Sequence, residues 1–150
     1  MTREARILGV DRRKMSKSYG NAINLSDTED VVRKKVQSMV TDPARIKATD
    51  PGHPDVCNVY SYYQIFNPVT PKVQDAHDWC TGAKKGCTDC KKIFADVLVE
   101  RMRPIWQLRK KYESEKGLVE DILKRGRVKA SVVAQETLKE VKQLLNLYKG

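Results

Sequence analysis

Apolar residues recur mostly at intervals of three and four along this chain, the spacing of helix faces. Val31, Val32, Val36, Met39 and Val40 mark one stripe. Ser26 and Glu29 stand at the spacing of a capping box, so the helix is predicted to begin near Asp27 and to end at Thr41-Asp42-Pro43. Residues 41–55 hold three prolines and a glycine and read as a loop. Val59, Tyr62, Tyr63 and Phe66 predict a helix over 56–66. Thr70-Pro71 reads as an N-cap with proline at the first helical position, opening a short helix to about Trp79. Gly82 to Gly86 is a loop. A long helix is predicted from about Thr88 to Ser114, with Phe94, Val97, Leu98, Met102, Ile105 and Trp106 on one face and a kink at Pro104. Helices near 117–125 and 128–148 follow; Val128, Val132, Val133, Leu138, Val141, Leu144 and Leu145 form the last stripe.

Residues 5–11 differ. They predict a short strand, and nothing downstream supplies the rest of a sheet. A lone strand cannot satisfy its edge groups. The expected fold is therefore mainly α, a helical domain preceded by a strand and loop from a larger domain. No internal repeat is present.

Composition fits a globular protein, with 40% hydrophobic and 32% charged residues. No apolar run approaches the ~20 residues of a membrane span. The first six residues lack the apolar core of a secretory signal. A cytoplasmic protein without membrane contact is expected. Lys and Arg total 29 against 19 Asp and Glu, a net charge of +10. The basic tracts Arg33-Lys34-Lys35, Lys84-Lys85, Lys91-Lys92 and Arg109-Lys110-Lys111 are spread along the chain. That favours a folded basic surface with a polyanionic partner such as nucleic acid.

Two constellations carry chemistry. Lys14-Met15-Ser16-Lys17-Ser18, followed by Gly20, puts two ammonium groups, two hydroxyls and loop N–H groups within a few residues. Those groups suit phosphate oxygens. The second is Cys57, Cys80, Cys87 and Cys90, with 22, 6 and 2 residues between them. Cys87-Thr88-Asp89-Cys90 points two sulfurs the same way from one turn. Four thiolates suit tetrahedral zinc or a 4Fe–4S cluster, and spacing alone does not separate them. Lys84, Lys85, Lys91 and Lys92 flank the cysteines and would offset their negative charge. His53 and His77 read as surface or capping residues.

The segment Gly9-Val10-Asp11-Arg12-Arg13-Lys14-Met15-Ser16-Lys17-Ser18-Tyr19-Gly20-Asn21 resembles the signature loop of class I aminoacyl-tRNA synthetases. Further stretches resemble the tryptophanyl-tRNA synthetase family: Val32-Arg33-Lys34-Lys35-Val36, Met39-Val40-Thr41-Asp42, Asp55-Val56-Cys57-Asn58-Val59-Tyr60, Tyr63-Gln64-Ile65-Phe66 and Gly86-Cys87-Thr88-Asp89-Cys90-Lys91-Lys92. The resemblance weakens after about residue 115. It implies that residues 1–25 end a Rossmann-like catalytic domain and that 26–150 form a helical, anticodon-binding-type tRNA domain.

In that family the loop closes over ATP, which enters with Mg. The implied roles give Lys17 the charge stabilisation as pyrophosphate leaves, with Lys14 assisting. Ser16, Ser18 and Met15 shape the loop and its ATP contacts. The cysteine spacing resembles that of family members holding a 4Fe–4S cluster, with zinc the alternative. The implied partners are tRNA(Trp), ATP and tryptophan, and the full-length enzymes form homodimers. The family's other nucleotide motif, His-Ile-Gly-His or a variant, is absent from these 150 residues. A C-terminal fragment, inactive alone, is the expectation. Two alternatives stand beside it. A stand-alone iron–sulfur or zinc nucleic-acid module leaves the lysine loop without a role. A tyrosine-specific relative would not call for four cysteines.

Overall fold

The computed structural model describes residues 7–66, 69 and 71–147. Its regular elements are helices: α1 (Glu29–Gln37), α2 (Asn58–Phe66), α3 (Val73–Thr81), α4 (Cys87–Ser114) and α5 (Leu118–Leu144). Two single 3-10 turns, Lys17–Tyr19 and Pro54–Val56, complete the list. The chain divides into two compact units, 1–106 and 107–150.

The core of the first unit gathers the stripes of four helices. Val32 and Val36 come from α1, with Met39 just beyond it; α2 adds Val59, Tyr62 and Tyr63; α3 adds Ala76; α4 adds Phe94, Ala95, Leu98, Val99 and Met102. The Phe94 ring lies at the centre of an aromatic cluster. Its centroid is 4.7 Å from that of Tyr63, and it meets Tyr62 edge-on at 6.0 Å. Each fully buried large side chain contributes about 1.5–3 kcal/mol. In the second unit α5 begins after Gly117, whose φ of +83° suits a residue without a Cβ.

Several elements differ from the sequence reading. Among the described residues there is no strand. Residues 7–14 instead turn back on themselves: Gly9 N–H bonds to Arg13 C=O at 2.7 Å, and Leu8 and Lys14 form one isolated bridge. Arg12 takes a left-handed φ of +66° at the turn. Residues 5 and 6 of the expected strand lie outside the described residues.

Helix α1 starts two residues later than expected, with Thr28 as N-cap. The Ser26–Glu29 box does not form. The Asp27 carboxylate instead accepts the Asn24 N–H at 2.8 Å and the Lys35 ammonium at 2.6 Å, making a separate turn. Glu29 is held by Arg33. At α3 the expected cap Thr70 lies outside the described residues. Lys72 is the N-cap, and its N–H bonds to the Asp75 carboxylate at 2.7 Å.

Helix α4 runs through Pro104 without a break. Proline has no N–H, so the Glu100 carbonyl loses its helical donor there. The two helices expected near 117–125 and 128–148 are one, because Gly126 is tolerated inside α5 at a cost of about 1 kcal/mol. The apolar stripe of α5 is exposed: Val128, Val132, Val133, Leu138, Val141, Leu144 and Leu145 all lie at the surface.

Candidate functional site

Residues 14–18 pass over a single buried amide, that of Asn21. Its Oδ1 accepts the Ser16 N–H at 2.8 Å. Its Nδ2 donates to the Asp11 carboxylate at 2.7 Å and to the Lys14 carbonyl at 3.1 Å. Its own carbonyl accepts the Val10 N–H at 2.9 Å. A Cβ on Gly9 would stand 2.3 Å from Asn21 Cγ, so only glycine fits there.

Around this amide the loop closes with Ser16 Oγ and Ser18 Oγ 2.8 Å apart, and Gly20 ends the 3-10 turn at φ +64°. Arg13 pairs with Asp11 at 2.7 Å and lies 4.7 Å from the Tyr19 ring centroid. Burial raises the Asp11 pKa, but the Asn21 amide and Arg13 outweigh it and hold the carboxyl below its ordinary value. Lys14 and Lys17 are exposed, and neither has an ion-pair partner among the described residues. The loop backbone is thus fixed while its two ammonium groups are left to solvent.

Helix α2 anchors the segment from below. Asn58 is fully buried, and its Nδ2 donates to the Gly9 carbonyl at 2.7 Å. The Tyr62 hydroxyl donates to the Leu8 carbonyl. Burial pushes the Tyr62 hydroxyl pKa up to about 12, which keeps it a proton donor. Val40 links both sides: its N–H bonds to Val10 C=O at 2.9 Å, and its carbonyl accepts the Asn58 N–H at 3.2 Å.

The four cysteines converge. Cys57 precedes α2, Cys80 lies in the last turn of α3, and Cys87 and Cys90 lie in the first turn of α4. All four are free, half-buried, and line one cavity with Arg45, Trp79 and Lys85. Among the described residues no three Cys, His, Asp or Glu side chains are drawn into a metal-ligating group. The donor chemistry nonetheless suits a soft metal centre: four sulfurs in one apolar cavity and a cation at its wall. Arg45 reaches the Cys87 sulfur at 3.8 Å and the Lys85 carbonyl at 2.9 Å. Burial, then the neighbouring cysteines, push the Cys90 thiol up to about 12, and burial raises Cys57 and Cys80 too. A Cβ on Gly52 would stand 2.6 Å from the Cys80 sulfur.

The lysines flanking the cysteines are not equivalent. Lys91 donates to the Gln37 carbonyl at the end of α1, at 2.9 Å. Lys92 pairs with Asp89 at 3.3 Å, and Lys85 lies 5.0 Å from the Trp79 ring centroid. Lys84 is exposed. His53 is structural: with its own N–H it binds the buried Asp42 carboxylate, both at 2.8 Å. His77 packs against Tyr60 at 6.0 Å.

Sequence reasoning missed Asn21, Asn58, Tyr62 and Arg45. An asparagine directly after the loop glycine was the available signal for Asn21. Nothing marked Arg45 among so many basic residues.

A profile of the family described as tRNA synthetases class I (W and Y) matches residues 5–103. The tryptophan–tRNA ligase of Thermotoga maritima is 38% identical over 147 residues, 98% of this chain and 45% of the relative. That of Aquifex aeolicus is also 38% identical over 147 residues, covering 37% of its length. The chain thus spans less than half the length of these curated relatives. A solved tryptophanyl-tRNA synthetase from Campylobacter jejuni, complexed with ADP and tryptophan, shares the fold with a TM-score of 0.83 at 22% identity. It matches 98% of this chain and 45% of its own. No described helix is long and apolar enough to cross a membrane. With two thirds of its length matched by the profile, this chain belongs to the W and Y family of class I tRNA synthetases.

Proposed function

We propose that this chain is the C-terminal region of a tryptophan–tRNA ligase. Residues 1–25 supply the ATP-phosphate loop and 26–150 the tRNA anticodon-recognition domain. The observation that carries the reading is the loop: a backbone fixed by buried amides, with Lys14 and Lys17 exposed on it.

In the complete enzyme the tryptophan carboxylate attacks the α-phosphorus of ATP and pyrophosphate leaves. Negative charge grows on the leaving oxygens. Lys17, assisted by Lys14, sets an ammonium against that charge, and the Ser16 and Ser18 hydroxyls donate to phosphate oxygens. Charges that are already positioned stabilise the transition state without reorganisation. Mg entering with ATP neutralises part of the same charge. Lys84, beside the cysteine cavity, and the exposed basic side chains of 107–150 would meet tRNA phosphates. The full-length partners are tRNA(Trp), ATP and tryptophan, in a homodimer.

We assign Cys57, Cys80, Cys87 and Cys90 as the ligands of a 4Fe–4S cluster, with zinc as the alternative occupant. Such a centre would tie together, through its four ligands, the starts of α2 and α4 and the end of α3, and its binding energy would couple to folding. Arg45 faces the net negative charge that four thiolates bring.

Tryptophan-dependent ATP–pyrophosphate exchange tests the enzyme reading. Residues 1–150 alone are expected to show none. Joined to the tryptophan-binding half of the Thermotoga relative, they are expected to support it, and Lys17→Ala then lowers kcat by about 10²–10³-fold. Exchange by the isolated chain, or an unaffected Lys17→Ala enzyme, refutes the assignment. Anaerobic purification tests the cluster: brown protein with iron and sulfide supports it, and a colourless protein holding one zinc selects the alternative.

A further inference from the structure

The geometry points to Asn21 as the positioning residue of the phosphate loop, the group that sets where Lys14 and Lys17 stand when ATP binds. This rests on the ATP-loop reading above. Asn21 carries neither charge nor nucleophile and contributes through hydrogen bonds to four residues of the loop and its approach.

One planar amide, almost wholly buried, uses its acceptor on Ser16 N–H and both donors on Asp11 and the Lys14 carbonyl. Two of these contacts fall between the lysines, at Ser16, and directly at the first of them, Lys14. They fix the backbone from which the lysines project and leave the side chains exposed. The donor pattern is not interchangeable. Asp11 is ionised and already accepts from Arg13 N–H at 3.0 Å and Arg13 Nε at 2.7 Å. The group facing Asp11 and the Lys14 carbonyl must therefore donate, while the group facing Ser16 N–H must accept. Among side chains of this size only a carboxamide does both. A Cβ at position 9 would stand 2.3 Å from the Asn21 amide, so with Asn21 in place only glycine fits there.

Asn21→Asp keeps the shape and the acceptor but sets a second carboxylate 2.7 Å from Asp11. Repulsion at that distance opens the loop. The paired change Asp11→Asn with Asn21→Asp reverses the donor and acceptor, so the new amide at 11 donates to the new carboxylate at 21. The Arg13 guanidinium keeps an acceptor at position 11, while the Arg13 N–H and the Lys14 carbonyl each lose their partner at the exchanged pair.

Pyrophosphate exchange in the complete ligase carrying this region is the assay. Asn21→Asp is expected to raise KM for ATP at least about tenfold, with KM for tryptophan and the affinity for tRNA unchanged. In the 150-residue chain, trypsin is expected to cut faster after Lys14 and Lys17. The paired variant is expected to recover part of the loss in both readouts, because it removes the carboxylate–carboxylate contact, a rescue that generic destabilisation would not give. If Lys17→Ala abolishes exchange but Asn21→Asp and Asn21→Ala leave KM for ATP unchanged, the positioning role is overturned and the ATP loop stands. If the paired variant is no better than Asn21→Asp, the hydrogen-bond argument is overturned. If Lys17→Ala has no effect, the ATP-loop reading falls, and this inference with it.

Discussion

Replacing Asn58 by alanine removes one of two donors to the Gly9 carbonyl, the one bonded at 2.7 Å under a fully buried side chain, and leaves the Arg12 N–H at 3.0 Å. A hydrogen bond of this kind contributes about 1 kcal/mol, and because the carbonyl keeps a partner no further cost of a stranded acceptor is added. The second contact, Ser61 Oγ to Asn58 Oδ1 at 3.3 Å, adds little because Ser61 keeps its shorter bond to the Asn58 carbonyl at 2.7 Å. The expected loss is therefore about 1 kcal/mol. With a urea dependence of about 2 kcal/mol per molar, the unfolding midpoint falls by about 0.5 M. Far-UV circular dichroism during urea titration reads this directly, and Ser61→Ala is the control, shifting by less than about 0.3 M. Tyr62→Phe frees the neighbouring Leu8 carbonyl. Both changes release the same backbone segment, so the double variant is expected to lose less than the sum. A midpoint for Asn58→Ala within about 0.2 M of the wild type would refute the claim that α2 holds the loop segment.

Two further outcomes follow from charge. Burial raises the Asp42 pKa, but the His53 and Ala44 N–H groups and the His53 ring outweigh it; for Asp27, burial is likewise outweighed by Lys35 and Asn24. Both carboxyls lie below the ordinary 3.8, so their stabilisation is full above that value and is lost as pH falls through the lower folded values. The thermal midpoint should be flat near neutrality and drop below about pH 4, and Asp42→Asn should flatten the drop; an unaltered profile would contradict it. Lys91→Ala removes the cap on the Gln37 carbonyl and should cost about 1–2 kcal/mol in a denaturant titration, whereas Lys84→Ala should leave stability unchanged and reduce the salt slope of tRNA binding by about one phosphate contact. Equal stability of the two variants would overturn that division.

The helices were legible because their core faces repeat at helical spacing. Val32, Val36, Met39, Phe94, Leu98 and Met102 are buried as the stripes require. Their starts were less legible, since Asp27 and Lys72 compete for cap roles through tertiary or local contacts that a motif does not encode. The strand over 5–11 failed among the described residues for a related reason: a short apolar run says nothing of a left-handed Arg12, at which the chain turns back. The α5 stripe repeats at helical spacing as read yet lies exposed, because periodicity names a face without saying what covers it. At the site, the charged and sulfur-bearing residues announced themselves. The uncharged amides and hydroxyl that hold them did not, because their role lies in contacts to backbone atoms up to 54 residues away.

Cys57 and Asn58 are consecutive, yet one lines the sulfur cavity and the other holds Gly9. Chemistry performed on the first is therefore one peptide bond from the support of the second. A reagent on the Cys57 thiol would therefore sit beside the side chain that holds Gly9, so a change in the loop after alkylation is no measure of what the other cysteines do.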